Sequence, residues 1–534
     1  MIESQGFTAN LQIPFSEIPQ FSDFDKWYAY PENQKLLLFE NPPNLEGIAN
    51  ALKARKEYQI DRNLLADTVA EQYQSLKIDG KSNEIDSLRA ENTFAITCAH
   101  QPNVFTGPVF FIYKLLSTIK LAEQCNQHFP EAKFVPILYL GSEDHDVAEI
   151  NHIHLFGKRI EWPTSGTGAV GRIPCTELED VKEEIYKILG DSVHADELKA
   201  LIDSCYSPDN TLAEAITLFL HHLLPQYPFL IFNPDDEKIK SHFIDIIEAD
   251  ILKSESYPLV MEGQEQMAGY GLKTQAYVRP INFFYLGPNF RERIEYLDGK
   301  YHVLNRDITF TIDEIKAEIK GHPERFSPNV ILRPLLQDLI LPTIAFVGGG
   351  GELAYWADRR LLFKHFNIPF PVLIRRDSVL VLDQNSLKKI EKFHFKISDL
   401  LHEEHEIKTK FITFNEAKSV DFEAEREIIK ELSIKILQKT GELDPSLNKF
   451  TGAELNQFHK IIDNIEAKLV RSLKNQNEVG INQILNVRRK ILPDDQLQER
   501  HENFMSYYVL KGKSFFEEAY DILNPLDFKM KVLV

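Results

Sequence analysis

Uniformly apolar runs of a few residues, each ending in a polar or glycine-rich cluster, punctuate the middle of the chain. The first begins at Thr93, where FAITCA meets the turn HQPNVFTGP, and the residues that follow predict a long helix over 109–128. FVPILYL at 134–140 stops at the polar cluster 141–146, and FLIFN at 229–233 runs into Pro234 and two aspartates. Further on, TIAFVGGGGELAYW sets a strand, four glycines and a helix in succession, and PVLIRRDSVLVLD adds more strand. Strands that are apolar on both faces need cover on both faces. Their alternation with helical stretches predicts a mostly parallel α/β sheet.

The pattern changes on either side of that core. Residues 1–92 read as short extended pieces followed by helices, with Ile60, Leu64, Leu65, Thr68 and Val69 in helical spacing, and are expected to pack on the core as a preface. The core, 93–383, is split by insertions at about 160–228 and 255–328, which read as turn-rich segments with short strands such as QAYVRPINFFYL. Over 384–534, charged helix-favouring stretches predict a C-terminal α-helical arm with a tail, and strand character only near Phe411. Leu455, Phe458, Ile462, Ile465 and Leu469 alternate spacings of three and four, the seam of packed helices. An intrachain hairpin and an intermolecular coiled coil both satisfy that seam, and a homodimer through the arm is expected.

A chain of 534 residues exceeds what one core organises, so roughly three structural units are expected. With 60 Lys and Arg against 80 Asp and Glu, the formal charge of −20 repels a phosphate backbone, which argues against a nucleic-acid partner. Cys98, Cys125, Cys175 and Cys205 form neither a CxxC pair nor a close framework, so reduced cytosolic thiols are expected. The start MIESQGFTANLQIPF has no basic segment followed by an apolar run, and no window of about 18 uncharged apolar residues follows. A cytoplasmic chain without a membrane span is the expectation.

Four clusters carry candidate chemistry. The turn after the first strand holds His100, Asn103 and Gly107 where open α/β sheets bind ligands, and a helix N-terminus there attracts anions. The cluster Glu143, Asp144, His145 and Asp146, with Asn151, His152 and His154 beyond it, offers acid/base groups and matches no zinc spacing. Gly348, Gly349, Gly350 and Gly351 before Glu352 free the backbone to approach a ligand, but neither GK[ST] nor GxGxxG follows. Tyr355 and Trp356 come next as pocket or core aromatics. Arg279, Arg291, Arg293 and Arg333 are candidates to clamp a carboxylate bidentately. The three glycine-rich or polar turns, represented by Gln101, Asp144 and Gly349, are expected to converge on one pocket at the carboxyl edge of the sheet.

HQPNVFTGPVFFIYK at 100–114, SEDHDVAEIN at 142–151, SPNVILRPLLQD at 327–338, LPTIAFVGGGGELAYW at 341–356 and LQER at 497–500 resemble, in order, segments of the bacillithiol cysteine ligase family, BshC. The family pattern at the first segment is closer to GQQPG-LTGP. His100 and Asn103 depart from it, whereas Gln101, Pro102, Thr106, Gly107, Pro108, Tyr113 and Lys114 match. The resemblance implies a Rossmann core with connecting insertions and a dimerising coiled coil. It also implies a ligase joining the carboxyl of cysteine to the amine of glucosaminyl-malate, with ATP or a related adenine nucleotide activating that carboxyl. Asp144, His145 and His100 are then the candidate catalytic groups. Gln101, Asn103, Thr106, Gly107, Tyr113, Lys114, Glu143, Asp146, Asn151, Arg333, Gln337, Gly348, Gly349, Gly350, Glu352, Tyr355 and Trp356 are the candidate binding groups. No metal ligand set is assigned. The competing readings are a metal-assisted hydrolase or deacetylase centred on Asp144, His145 and Asp146, and a nucleotide-binding scaffold without turnover.

Overall fold

The computed structural model describes residues 12–36, 38–274, 276–415 and 422–534. Five parallel strands form its central sheet: β1 (Thr93–His100), β2 (Lys133–Leu140), β3 (Leu230–Phe232), β4 (Thr343–Gly348) and β5 (Val372–Arg375). Their spatial order is β5-β4-β1-β2-β3. The chain thus winds outward from β1 in one direction and then returns to β1's other side, which creates a switch point between β1 and β4. Strand β1 is buried along nearly its whole length, as its uniform apolarity requires.

Helix α1 (Phe110–His128) covers one face, packing on β1 and β2. Across the sheet, Leu65, Ala66 and Val69 of the N-terminal helix Arg62–Ser75 share a core with Ala95 and Ala99 of β1 and Val135, Ile137 and Tyr139 of β2. Helix α2 (Gly350–Ala357) leaves the end of β4 directly. Its first residue lies so close to the N-terminal helix Asp23–Tyr28 that a Cβ on Gly350 would collide with the Asp25 carboxyl.

The two insertions differ from each other. Residues 283–328 form a five-stranded antiparallel sheet, in line with the short strands read there. The segment expected to be turns and short strands at 160–228 is instead mainly helical after the hairpin His152–Leu155 and Lys158–Glu161, with helices Glu179–Leu189, Val193–Cys205 and Leu212–Leu223. Val181, Ile185 and Leu189 recur every four residues on a buried face, and Ser192 and Thr211 cap the next two helices through their side chains.

The chain divides into two compact units: residues 1–380 with 499–533, and 381–498 with Val534. Of the region expected as a helical arm and C-terminal tail, 384–534, residues 384–498 lie in the second unit. Glu499–Leu533 rejoin the first unit, where Lys529–Leu533 pairs antiparallel with Gln12–Pro14. Within the second unit, helices Glu423–Leu443 and Asn448–Gln476 pack on one another as a hairpin, joined by ion pairing of Arg426 with Asp463 (3.0 Å) and Glu466. Phe411 lies in the helix Glu404–Asn415 rather than in a strand, and its ring packs 5.0 Å from Phe393. Among the described residues, no helix is long and apolar enough to cross a membrane.

Candidate active site

All five central strands contribute their carboxyl ends to one cavity of about 630 Å³. His100 and Gln101 come from β1, Tyr139 through Asp144 from β2, Pro234 from beyond β3, Gly349 through Glu352 from beyond β4, and Arg376 from beyond β5. The antiparallel insertion adds Phe284 and Arg291, the segment before β4 adds Asn329 and Arg333, and the returning C-terminal segment adds Arg500. Gln101, Asp144 and Gly349 thus meet in one cavity.

One end of the cavity is cationic. Lys114, buried on α1, donates to the Ala99 carbonyl (2.9 Å) and pairs with Glu352 (2.6 Å), which also accepts from the Gly349 N–H (2.9 Å). Burial outweighs that pairing and draws the Lys114 ammonium below its ordinary value. Arg376 is almost fully buried and is held by Glu499 through two hydrogen bonds (2.8 and 3.2 Å). Burial disfavours its charge, but Glu499 more than restores it. Arg333 donates to Gln337 (2.9 Å) and lies over the Tyr139 ring. His100 packs 4.2 Å from the Phe111 ring, and burial, then Lys114 and Arg376, drive its imidazole well below its usual value, so it is neutral. His100 Nε2 and Arg376 Nε are buried without a partner among the described residues. The first turn of α2 adds N–H groups that have no intrahelical acceptor.

The other end is acidic. Asp144 accepts from Gln101 Nε2 (2.7 Å) and from the His145 N–H (2.7 Å), with Arg291 at 3.9 Å. Burial raises this carboxyl, but Arg291, Gln101 and the His145 N–H together hold it below the usual range. Glu143 is nearly buried and pairs with Lys240, which also donates to the Phe326 carbonyl (2.9 Å). Here burial prevails over Lys240, and the nearby Asp235 adds to the upward shift. Glu149, at the rim, accepts from the same Gln101 amide (3.0 Å).

Other sequence candidates stand behind the wall or away from it. Gln337 is fully buried and links Arg333 to Thr97 (3.2 Å) and Asp338 (3.1 Å). Trp356 is core, stacked 4.1 Å from Phe346, and Tyr113 is likewise fully buried, whereas Tyr355 reaches the cavity. Gly348 closes β4, its carbonyl accepting from the Arg376 N–H (2.9 Å). Asn103 donates to the Glu149 carbonyl (3.2 Å), and Thr106 and Gly107 continue a turn of positive φ that faces Asn503, whose side chain donates to the Phe105 (2.9 Å) and Gly107 (2.6 Å) carbonyls. His145 is exposed and contacts Arg291 (2.9 Å). Asp146 caps the short helix Val147–Ile150, and Asn151 bonds Glu161 and the Trp162 carbonyl (3.3 Å each). Asp144 and His145 thus lie 3.6 Å apart and both approach Arg291, whereas Asp146 is spent on a helix cap, and among the described residues no three His, Cys, Asp or Glu side chains gather as a metal site. The four-arginine clamp divides too: Arg291 and Arg333 line this cavity, and Arg279 and Arg293 line another.

Sequence reasoning missed Arg376, Arg500, Glu149 and Tyr139 as cavity residues. A signal existed for the first, since RRD directly follows an apolar strand and places a charged residue at its carboxyl end. Arg500 lies in the quoted LQER segment, far from every strand in sequence.

Two family models together match residues 11–377 and 379–534 of this chain. The Rossmann-like N-terminal domain of the bacillithiol biosynthesis BshC family covers residues 11–377, and the C-terminal coiled-coil domain of the same family covers 379–534. A Flavobacterium johnsoniae protein named "Putative cysteine ligase BshC" is 33% identical over 525 residues, 98% of this chain and 99% of that one. Proteins of the same name from Cytophaga hutchinsonii (33% over 522 residues) and Christiangramia forsetii (30% over 529 residues) each span 98% of both chains. With both of its domains matched and relatives aligned over nearly their whole length, the chain belongs to the bacillithiol biosynthesis BshC family.

Proposed function

We propose that the chain is a carbon–nitrogen ligase that joins the carboxyl of cysteine to the amine of glucosaminyl-malate in the cytoplasm, with the cavity at the carboxyl edge of the sheet as its reaction centre. One observation carries this reading: the cavity is lined by two charge clusters of opposite excess, Lys114, Arg333, Arg376 and Arg500 around Glu352, and Glu143, Asp144 and Glu149 around Arg291. A substrate pair that brings carboxylates and an amine together needs both. The cationic end suits carboxylates or phosphates, and the acidic end suits an ammonium that has to become a neutral amine before it can attack.

The unpartnered His100 Nε2 and Arg376 Nε, beside the N-terminus of α2, fit the phosphates of an adenine nucleotide. When bound, that group activates the cysteine carboxyl by supplying a leaving group. Arg376, Lys114 and the α2 amides would hold its charge. Asp144, kept ionised by Arg291 and Gln101, orients the glucosaminyl ammonium. Glu143, whose carboxyl binds a proton more readily, takes the proton that the nitrogen loses as the C–N bond forms. The helical arm joins two copies into a homodimer.

Metabolite analysis of a strain lacking this gene tests the reading. Accumulated glucosaminyl-malate with no bacillithiol, restored by the unchanged gene, is the expected result. Unchanged thiol pools would sink the ligase assignment, and nucleotide binding without product in every reconstitution would favour a scaffold.

A further inference from the structure

A second cavity, of about 670 Å³, is as large as the first and shares no residue with it. It is built by the end of the helix Ile244–Lys253, by residues 279–281, by the outer part of the strand Phe290–Leu297, and by the helix Ile312–Gly321. Its volume falls within the roughly 300–1,000 Å³ of small-molecule sites. The floor is apolar, made by Ile251, Ile281, Ile294 and Tyr301, all buried. At the rim Tyr296 and Leu297 are 49% and 52% exposed, and the Tyr296 ring packs 4.8 Å from that of Tyr301.

Charge at the rim runs against the rest of the molecule. Arg279, Arg293, Lys253 and Lys316 face one carboxylate, Glu295, on a chain whose formal charge is −20. Arg293 pairs with Glu295 (3.5 Å) and Lys253 with Glu255 (3.2 Å). The Arg279 guanidinium sits over the Tyr277 ring (4.9 Å), and neither it nor the Lys316 ammonium has an ion pair or a side-chain hydrogen bond among the described residues. Two uncompensated cations at the mouth of an apolar pocket leave attraction for an anion unused.

We propose that this cavity binds an amphipathic organic anion, its apolar body of one or two rings on the Ile281, Ile294 and Tyr301 floor and its acidic head between Arg279 and Lys316. A neutral apolar ligand would use the floor and waste the rim, and a polar anion would do the reverse. The site is independent of the ligase reading, because it uses no residue of the first cavity.

The probe is 8-anilinonaphthalene-1-sulfonate, titrated by fluorescence into the full-length protein. It is compared with N-phenyl-1-naphthylamine, which has the same rings and no sulfonate. Saturable binding at one site per chain in this cavity is expected, with the neutral probe at least ten-fold weaker. Arg279→Glu with Lys316→Glu should weaken the sulfonate at least ten-fold, and Arg279→Gln with Lys316→Gln by less, each with an unchanged circular dichroism spectrum. Phe458→Glu with Ile465→Glu, on the helical arm, should leave this site intact. Displacement by 1-naphthylacetate or by 1-naphthyl phosphate distinguishes a carboxylate from a phosphate head. The proposal falls if both probes bind equally, if charge reversal leaves the titration unchanged, if only the arm variant removes binding, or if neither naphthyl acid displaces the probe.

Discussion

Adjacent carboxyls, Glu143 and Asp144, are shifted in opposite directions by what touches them. Burial dominates at Glu143, whereas Arg291, Gln101 and a backbone N–H dominate at Asp144. Glu143→Gln is therefore expected to lower kcat by about a hundred-fold or more, the scale of a lost general base. Asp144→Asn is expected to raise KM for glucosaminyl-malate by about ten-fold, roughly 1.4 kcal/mol of binding. His145→Asn should do less, because His145 touches Arg291 and does not line the cavity. Steady-state kinetics on variants with unchanged melting curves separate the three, and equal losses in kcat for all would assign the cluster to structure. A second residue-scale expectation concerns Asp338, which burial pushes up to about 7 despite Arg55. Its folded value exceeds its unfolded value, so its contribution to stability is full below about pH 4 and is lost as pH rises through about 7. Asp250 and Asp377, each raised to about 6 chiefly by burial, act in the same direction. Asp338→Asn should flatten the decline of the urea midpoint between about pH 5 and 8. An unaltered slope would mean that Asp338 does not hold its proton in that range.

Among the elements, the helical hairpin of the second unit departs most from ordinary burial. Along Asn448–Gln476 only Leu455 is buried, while Phe458, Ile465 and Leu469 remain 53%, 49% and 39% exposed, and Ile428 and Leu432 on the facing helix are 65% and 53% exposed. Packing between the two helices thus satisfies only part of the heptad seam, and the remainder is available to a second copy. Phe458→Glu with Ile465→Glu is expected to halve the mass seen by light scattering while lowering thermal stability only slightly, since both side chains are already half exposed. Unchanged mass would remove the seam as a dimer contact, and unchanged mass with unchanged stability would remove it as a core as well. The hydrophobic repeat was legible in the sequence. Whether the hairpin or a partner covers it was not, because a spacing of three and four is the same for both.

At the scale of the whole molecule, the last 36 residues, 499–534, are almost entirely part of the first unit. Glu499 is the partner of buried Arg376, Asn503 satisfies the carbonyls of the strained 105–107 turn, and Lys529–Leu533 gives Gln12–Pro14 its paired strand. Removing one partner of a buried ion pair costs about 3–5 kcal/mol, a large part of the roughly 5–15 kcal/mol by which a domain is stable. A chain ending at Gln498 is therefore expected to lose the cooperative unfolding transition of its first unit, as followed by hydrogen exchange of β1 and β2. Native-like protection of those strands would show that the C-terminal return is dispensable.

The sequence by itself determined the elements of the core and their order, because an apolar run and the turn that ends it are local properties. It also placed His100, Gln101, Asp144 and Gly349 at strand ends, and in an open parallel sheet all such ends lie on one edge. It did not reveal the helices over 179–223, whose short amphipathic repeats and caps compete with turn-forming residues around them. Tertiary structure alone decided which turn residues face the ligand side. Asn503, nearly 400 residues away, draws the 105–107 turn toward itself, and Arg376 and Arg500 meet at the cationic end because the chain returns after a separate unit. The same holds for Arg291 and Arg293, two residues apart on one strand yet lining different cavities. Local spacing specifies a side chain's face on its own element, while the cavity it enters depends on where distant segments leave space and supply the opposing charge.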